Sequence, residues 1–197
     1  MILHHVEYGS GEPIVFLGSI ASTTDMWLPQ LDALSATHRV IALDHPGHGG
    51  SPDPAVAPGE TSMADLADNV LATLDELGVD KFAVVGLSLG GALAQYLTAT
   101  SGRVTRAAYL CTAAYFGGTG KWHPRSDLTR AEGMEPMADG VIGLWFTEDF
   151  RANKVLRRFV GRTFQVALEA CLDIGIIAAQ GYREPSSNRD VFVVLVE

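Results

Sequence analysis

The sequence is poor in cysteine, in basic residues and in long apolar runs, and each shortage excludes a class of protein. Its two cysteines, Cys111 and Cys171, show neither metal-ligand spacing nor a disulfide framework. With 14 Lys and Arg against 23 Asp and Glu, the net charge is −9, which leaves no basic stripe for nucleic acid. No stretch approaches the roughly 20 apolar residues of a membrane-spanning helix, and the N-terminus lacks a signal-peptide pattern. We therefore expect a reduced, cytoplasmic protein with no metal, no cofactor, and no nucleic-acid or membrane partner.

What is present indicates one ordered core with alternating strands and helices. Apolar residues make up 47% of the 197 and charged residues 19%, as in globular proteins. Four short, continuous apolar runs are typical of parallel strands buried on both faces. These runs are Ile14–Leu17, Val40–Leu43, Phe82–Val85 and Ala107–Cys111. Helical patterns lie between them, at Trp27–Leu34, at Met63–Leu77 behind a cap formed by Ser62 and Asp65, and at Gly90–Ala99. The alternation predicts an α/β class.

One short motif carries a chemical prediction. Residues Gly86-Leu87-Ser88-Leu89-Gly90 form a G-x-S-x-G pattern between an apolar strand and a helix rich in small residues. In this context the pattern predicts a tight turn that exposes Ser88 at the strand's carboxyl end as a nucleophile. The backbone N–H of Leu89 then lies at a helix N-terminus, where it can bind an oxyanion.

Further motifs give the chain a family resemblance. Three motifs carry it, namely Gly18-Ser19-Ile20-Ala21, Asp44–Ser51 in the pattern D-x-x-G-x-G-x-S, and Gly86–Gly91. At these residues the sequence resembles the α/β-hydrolase superfamily. Within it, the chain is most similar to the 3-oxoadipate enol-lactonases. The segments that carry this closer likeness are Asp25–Trp27, Trp122–Arg125, Glu132–Met134 and Trp145–Thr147 with Phe150. The resemblance covers about residues 1–163.

The resemblance implies a fold and roles for several residues. The implied architecture is an α/β-hydrolase fold, with a mostly parallel sheet, helices on both faces, a helical lid and a truncated C-terminus. Ser88 would be the nucleophile, and the N–H groups of Ile20 and Leu89 would form the oxyanion hole. Arg125 would bind a substrate carboxylate beside Trp122. The alternatives are a solvated Arg125 and a Trp122 that, like Trp145, belongs to the core of the lid. Asp44–Ser51 would be a structural turn.

The catalytic acid and histidine that this superfamily places after the serine are not recognisable here. His123 is the only histidine after Ser88, and it lies in the lid segment, where it could serve as a base only by reaching the serine. Five histidines precede the serine, and we expect them to be structural or solvated; they are His4, His5, His38, His45 and His48. Asp173 and Asp190 are the only aspartates of the tail, and neither follows an apolar strand as a triad acid should. The acid and the base are therefore left unassigned.

The pattern divides the chain into three parts. Residues 1–116 are expected to form the core, residues 117–168 a helical lid with short helices at 141–150 and 154–164, and residues 169–197 an atypical tail. Residues 191–196 are either a substitute strand on an otherwise exposed Val104–Cys111 edge or a frayed tail. Either the tail or that edge could support a homo-oligomer. The family pattern stops near Phe164, which suggests a truncated or frameshifted gene product.

The expected function is hydrolysis of 3-oxoadipate enol-lactone in aromatic catabolism, impaired by the missing acid and histidine. A general carboxylesterase or a cofactor-free haloperoxidase is the alternative among enzymes that share the serine turn. An inactive fragment that only binds a small acid is the alternative outside catalysis. In each case the partner is a small molecule, a lactone, an ester or an acid.

Overall fold

The computed structural model describes residues 1–54, 56, 59–133, 136, 148 and 191–194. Within them, six strands form one sheet in the order β1-β3-β2-β4-β5-β6. The strands are β1 (His5–Tyr8), β2 (Pro13–Leu17), β3 (Arg39–Leu43), β4 (Phe82–Leu87), β5 (Val104–Leu110) and β6 (Val191–Val194). β1 runs antiparallel to β3, and every other pair is parallel. The prediction of a mostly parallel sheet built from the apolar runs is therefore confirmed.

The last strand changes the expected edge of the sheet. The exposed edge that the sequence suggested for β5 is not seen, because the backbone of Val191–Val194 pairs with Ala107–Leu110 in parallel register. This segment corresponds to the substitute strand considered for residues 191–196. In the described chain β5 thus has a partner strand on each side. The backbone N–H and C=O groups of Ala107–Leu110 are therefore not exposed at an edge of the sheet.

Helices cover both faces of the sheet. Alternate strand residues point to opposite faces, so each face has its own apolar cluster. On one face α2 (Met63–Glu76) and α3 (Leu89–Thr100) pack on residues such as Val15 and Val84. On the other face a 3₁₀ turn (Thr24–Trp27) and α1 (Leu28–Leu34) pack on Phe16.

The start of α2 shows how local sequence sets an element boundary. Ser62 accepts a hydrogen bond from the backbone N–H of Asp65, and the Asp65 carboxylate accepts one from the backbone N–H of Ser62. This reciprocal cap satisfies two backbone donors that the first turn of a helix leaves unpaired. At the other end Gly78 has a φ of +66° just beyond the helix, which a glycine adopts without steric cost. Both boundaries match the sequence prediction.

The lid segment differs from its sequence prediction. α4 spans Thr119–Glu132, where the sequence analysis placed no helix within the expected helical lid. Pro124 lies inside this helix, and the helix carries no apolar stripe that periodicity could have detected. The helices predicted at 141–150 and 154–164 lie outside the described residues except for position 148. The other predicted sites that lie outside them are Trp145, Phe150, Asp173 and Asp190.

No helix in the described part of the chain is long and apolar enough to span a membrane.

Candidate active site

Ser88 lies in the tight turn that the motif predicts. It is the single residue between the end of β4 at Leu87 and the start of α3 at Leu89, and its side chain is partly exposed. Its backbone has φ +54° and ψ −112°. A positive φ at a residue with a Cβ atom is strained by roughly 1–3 kcal/mol, so the surroundings must hold it. The strand-turn-helix geometry of a nucleophile elbow is therefore present.

The strained turn is held by the segment that follows β5. The Ser88 N–H donates to the Leu110 carbonyl oxygen at 3.0 Å. The Thr112 hydroxyl donates to the Ser88 carbonyl oxygen at 2.7 Å, and the Ala92 N–H of the first helical turn donates to the same oxygen at 3.0 Å. Both backbone groups of Ser88 are thus fixed. Sequence reasoning missed Thr112, although its position just beyond the carboxyl end of a predicted strand was a signal.

The two glycines of the motif are required by close backbone contacts. A Cβ atom on Gly86 would lie 2.1 Å from the Gly90 carbonyl oxygen, and one on Gly90 would lie 2.1 Å from the Leu17 carbonyl oxygen. Real Cβ atoms do not approach backbone atoms so closely. The same approach lets the Gly90 N–H donate to the Gly18 carbonyl oxygen at 3.0 Å. The motif therefore joins the elbow to the loop after β2.

That loop, Gly18–Ala21, is named the oxyanion loop for the role that the resemblance implies for Ile20. Its contact with Gly90 places Ile20 and Leu89 on adjoining segments at the N-terminal end of α3. Among the residues that the structure describes, the N–H groups of Ile20 and Leu89 have no hydrogen-bond acceptor. A helix N-terminus also carries a partial positive charge. Two unpaired donors beside a serine can stabilise the negative oxygen of a tetrahedral intermediate.

Asp44 holds the loops around the site together. Its carboxylate is 2% exposed, and one oxygen accepts a hydrogen bond from the Thr24 N–H at 2.7 Å. The other oxygen accepts from the Gly50 N–H at 2.9 Å and contacts His4 Nδ1 at 2.7 Å. Ser51 closes the turn, because its hydroxyl donates to the Asp44 carbonyl oxygen at 2.9 Å. These contacts make Asp44–Ser51 a structural turn rather than a source of a catalytic acid.

Two histidines of the same turn are buried and neutral. His45 Nε2 donates to the Gly18 carbonyl oxygen at 2.8 Å. His48 Nδ1 donates to the Pro46 carbonyl oxygen at 2.9 Å, and His48 Nε2 accepts from the Ala21 N–H at 3.1 Å. Burial lowers the pKa of His45, and burial together with the neighbouring His45 lowers the pKa of His48 to about 4. Both imidazoles, in their neutral form, are hydrogen-bonded to backbone groups.

None of the histidines reaches the serine. The sequence contains six, and all six lie within the described residues. His5 contacts the Leu3 carbonyl oxygen at 3.3 Å, His38 contacts the Thr37 hydroxyl at 2.8 Å, and His123 is exposed on α4. In the described part of the chain, Ser88 Oγ has no hydrogen-bond partner. The described residues therefore place no imidazole at hydrogen-bonding distance of Ser88, while the N–H groups of Ile20 and Leu89 on the adjoining segments have no acceptor among them.

Trp122 and Arg125 lie on α4, and their contacts are with each other and with neighbouring residues. The Trp122 indole N–H donates to the Phe116 carbonyl oxygen at 2.9 Å, and the Phe116 ring packs against the indole with centroids 6.4 Å apart. The Arg125 guanidinium lies 5.0 Å from the Trp122 ring centroid, and Lys121 Nζ lies 6.0 Å from it. Arg125 forms no ion pair with any described residue. Two cations beside one indole can attract an anion.

The described residues contain no group of three or more His, Cys, Asp or Glu side chains that could hold a metal ion.

Comparison with known proteins gives the fold its family. The family described as alpha/beta hydrolase fold matches residues 12–141, about two thirds of the chain. The chain belongs to the alpha/beta hydrolase fold family. This confirms the fold class predicted from the strands, the serine turn and the Asp44–Ser51 turn.

Relatives within the family support the predicted resemblance to enol-lactonases. The chain is 29% identical over 151 residues to 3-oxoadipate enol-lactonase 2 of Acinetobacter baylyi, covering 75% of this chain and 55% of that protein. It is 30% identical over 138 residues to 3-oxoadipate enol-lactonase 1 of the same organism, covering 70% and 50%. The chain thus spans about half the length of these relatives.

Solved structures of hydrolases support the same family likeness. An enol-lactonase from Burkholderia xenovorans LB400 superposes with a TM-score of 0.77 at 32% identity, covering 87% of this chain and 66% of that one. A thermophilic esterase from Thermogutta terrifontis superposes with a TM-score of 0.73 at 25% identity, covering 87% and 63%.

Proposed function

We propose that this chain carries the nucleophile and the oxyanion hole of a serine hydrolase that opens small lactones or esters. One observation carries the proposal. Ser88 is held at a strained positive φ between β4 and α3 while the adjoining N–H groups of Leu89 and Ile20 have no acceptor among the described residues. Strain of this kind persists where the surroundings enforce it, and such sites are often functional.

The proposed reaction proceeds through an acyl-enzyme. Ser88 Oγ bonds to the lactone carbonyl carbon and loses its proton to solvent, while the Leu89 and Ile20 N–H groups bind the carbonyl oxygen as it becomes negative. The ring C–O bond then breaks, and the released oxygen takes a proton from water. A water molecule next attacks the acyl carbon, releasing the carboxylic acid and restoring the serine. No described imidazole assists either proton transfer, so turnover is slow, with a residual acceleration of roughly 10³–10⁴ over water.

The proposed substrate is an enol-lactone with a carboxylate on its side chain. The named relatives act on 3-oxoadipate enol-lactone, and Arg125 is a cation without an ion-pair partner among the described residues. An arginine fork binds a carboxylate through two parallel hydrogen bonds. The Arg125 guanidinium lies over the Trp122 ring, 5.0 Å from its centroid.

Two other functions remain as alternatives. The likeness to a solved esterase favours a general carboxylesterase, which would accept neutral esters as readily as carboxylate-bearing lactones. The non-catalytic alternative is a protein that binds a small acid without converting it. The absence of a described imidazole at Ser88 favours this alternative. The cytoplasmic location and a homo-oligomer through the tail also stay proposals.

The test compares two substrates and a blank on three proteins. Wild type, Ser88→Ala and the control Ser10→Ala, which changes an exposed serine of the β1–β2 loop, are assayed with the enol-lactone, a neutral activated ester and no substrate. We expect slow hydrolysis that Ser88→Ala abolishes and Ser10→Ala retains, with the lactone preferred. Equal rates on lactone and neutral ester would select the carboxylesterase. Turnover that survives Ser88→Ala would overturn the nucleophile, and calorimetric binding of the lactone acid without any turnover would select the acid-binding protein.

A further inference from the structure

The oxyanion loop is held at both ends by imidazole side chains rather than by backbone pairing alone. His45 contacts its first residue, Gly18, and His48 contacts its last residue, Ala21. Both imidazoles are buried, at 2% and 0% exposure. They lie 27 residues along the chain from the groups they bind, so these contacts fix the loop after β2 to the turn after β3.

The His48 end holds a strained residue. Ala21 has a φ of +62°, an unfavourable conformation for a residue with a Cβ atom. Its N–H donates to His48 Nε2 at 3.1 Å, while His48 Nδ1 donates to the Pro46 carbonyl oxygen at 2.9 Å. The second bond fixes the proton on Nδ1 and leaves Nε2 as an acceptor. Only a neutral imidazole can satisfy both partners at once.

The His45 end joins the loop to the elbow. The Gly18 carbonyl oxygen accepts from His45 Nε2 at 2.8 Å and from the Gly90 N–H at 3.0 Å. One oxygen thus links the structural turn, the oxyanion loop and the start of α3. Ile20 lies between the two fixed ends, directly beside the held amide of Ala21.

We propose that His45 and His48 are positioning residues that set the direction of the Ile20 N–H toward the oxyanion. Their loss leaves Ser88 and Leu89 in place but lets Ala21 relax from its positive φ, which rotates the peptide planes on either side of Ile20. The catalytic part of this proposal rests on the proposed function. The structural part, a loop held by two imidazoles, stands without it.

The structural part is tested by solution NMR on the wild-type chain. A hydrogen bond from the Ala21 amide to an imidazole nitrogen produces a ¹⁵N–¹⁵N coupling between those two atoms. We expect that coupling at neutral pH. Its absence, with the His48 Nε2 signal showing a protonated nitrogen, would overturn the proposal.

Paired variants test the consequence for the loop. His48→Gln keeps an acceptor at the reach of Nε2, and His48→Leu removes it; His45→Gln keeps a donor, and His45→Leu removes it. We expect the Ile20 and Ala21 amide signals to move in the two leucine variants and to stay near wild type in the two glutamine variants. The control His38→Gln changes a histidine whose side chain hydrogen-bonds only the Thr37 hydroxyl among the described residues. Unmoved Ile20 and Ala21 signals in folded His48→Leu would contradict the proposal, and so would a His48→Gln that folds but behaves like His48→Leu.

Kinetics of the same variants test the positioning role. We expect His48→Leu to lower kcat by about 10–10²-fold with KM unchanged, because a misdirected donor weakens only the transition state. His48→Gln should recover most of the loss. A kcat in His48→Leu equal to wild type would overturn the positioning role. If wild type shows no turnover at all, the proposed function fails while the NMR experiments still decide whether the imidazoles hold the loop.

Discussion

The elbow with its oxyanion loop and the helix α4 both follow carboxyl ends of strands, yet they are held in different ways. Around the elbow, the buried polar groups Asp44, His45 and His48 of the turn after β3 bind backbone atoms of the segment that follows β2. On α4, Trp122 is held by one hydrogen bond and one ring contact, and Arg125 by stacking on that indole.

This difference separates two kinds of residue. A group that is buried and hydrogen-bonded to several loops supports both stability and site geometry, because losing it leaves unpaired partners in the interior. A group that stacks on the surface supports ligand choice and contributes little to stability. We therefore expect substitutions near the elbow to affect both folding and chemistry, and substitutions on α4 to change stability by no more than about 1 kcal/mol, with Arg125 acting mainly on substrate preference.

The largest effect is expected for Asp44→Ala. Removing this buried carboxylate leaves the Thr24 and Gly50 N–H groups and His4 without their acceptor. We expect the free energy of unfolding to fall by about 3–5 kcal/mol, measured by urea denaturation. The matched control is Asp32→Ala on the exposed side of α1, which should change stability by less than about 0.5 kcal/mol. Equal effects at the two positions would contradict the comparison.

A smaller effect is expected from acidification. Folding lowers the pKa of His48 from 6.5 to about 4, so between these pH values the unfolded chain binds more protons than the folded one. Stability therefore falls as the pH drops from about 6.5 to about 4, by about 3 kcal/mol from this residue, and His45 acts in the same direction. Urea denaturation across this range measures the slope. His48→Gln should reduce it, and an unchanged slope in that variant would rule out His48 as its source.

Two glycine substitutions compare the regions directly. Gly90→Ala places a Cβ atom 2.1 Å from the Leu17 carbonyl oxygen, whereas Gly120→Ala on α4 meets no atom within 4 Å. We expect Gly90→Ala to destabilise the fold by about 1–3 kcal/mol and to abolish chemistry at Ser88. Gly120→Ala should raise stability by about 0.5 kcal/mol. Thermal unfolding of both variants checks the signs, and a stabilised Gly90→Ala would mean that the elbow is less tightly packed than described.

The smallest loss of stability is expected for Arg125→Ala. Loss of the stacked guanidinium should cost about 0.5–1 kcal/mol of stability. Its main result should be a KM raised by about tenfold or more for the carboxylate-bearing lactone, with the neutral ester unaffected. Arg106→Ala, which removes an exposed arginine from β5, is the control. Similar KM changes for both substrates would show that Arg125 does not bind the carboxylate.

The sequence predicted those features whose determinants lie close together along the chain. The serine turn, the Ser62 cap and the buried strands each depend on neighbouring residues, and all three are present. The contacts of Thr112 with Ser88 and of His48 with Ala21 join residues 24 and 27 positions apart, which no local pattern reveals. Periodicity missed α4 because that helix has no apolar stripe and contains Pro124.

The catalytic acid and base of Ser88 show a different limit of prediction from sequence. The sequence left them unassigned, and the structure accounts for all six histidines without placing one at Ser88. Asp173 and Asp190 lie outside the described residues. The truncated or frameshifted origin suggested by the loss of family pattern stays a prediction, and translation of the adjoining DNA in the other two frames would test it.

The central proposal is that Ser88 is an elbow nucleophile for which none of the six histidines of this chain serves as a base, and the pH dependence of its acylation tests this most directly. A fluorophosphonate is reacted with wild type and with Ser88→Ala between pH 6 and pH 9, and mass spectrometry locates and times the modification. We predict modification of Ser88 alone, at a rate that rises about tenfold per pH unit without levelling, because hydroxide must take the proton. An unmodified Ser88 would contradict the nucleophile. A rate that levels off above an apparent pKa near that of a histidine would show that a histidine acts as the base, which would contradict the proposal.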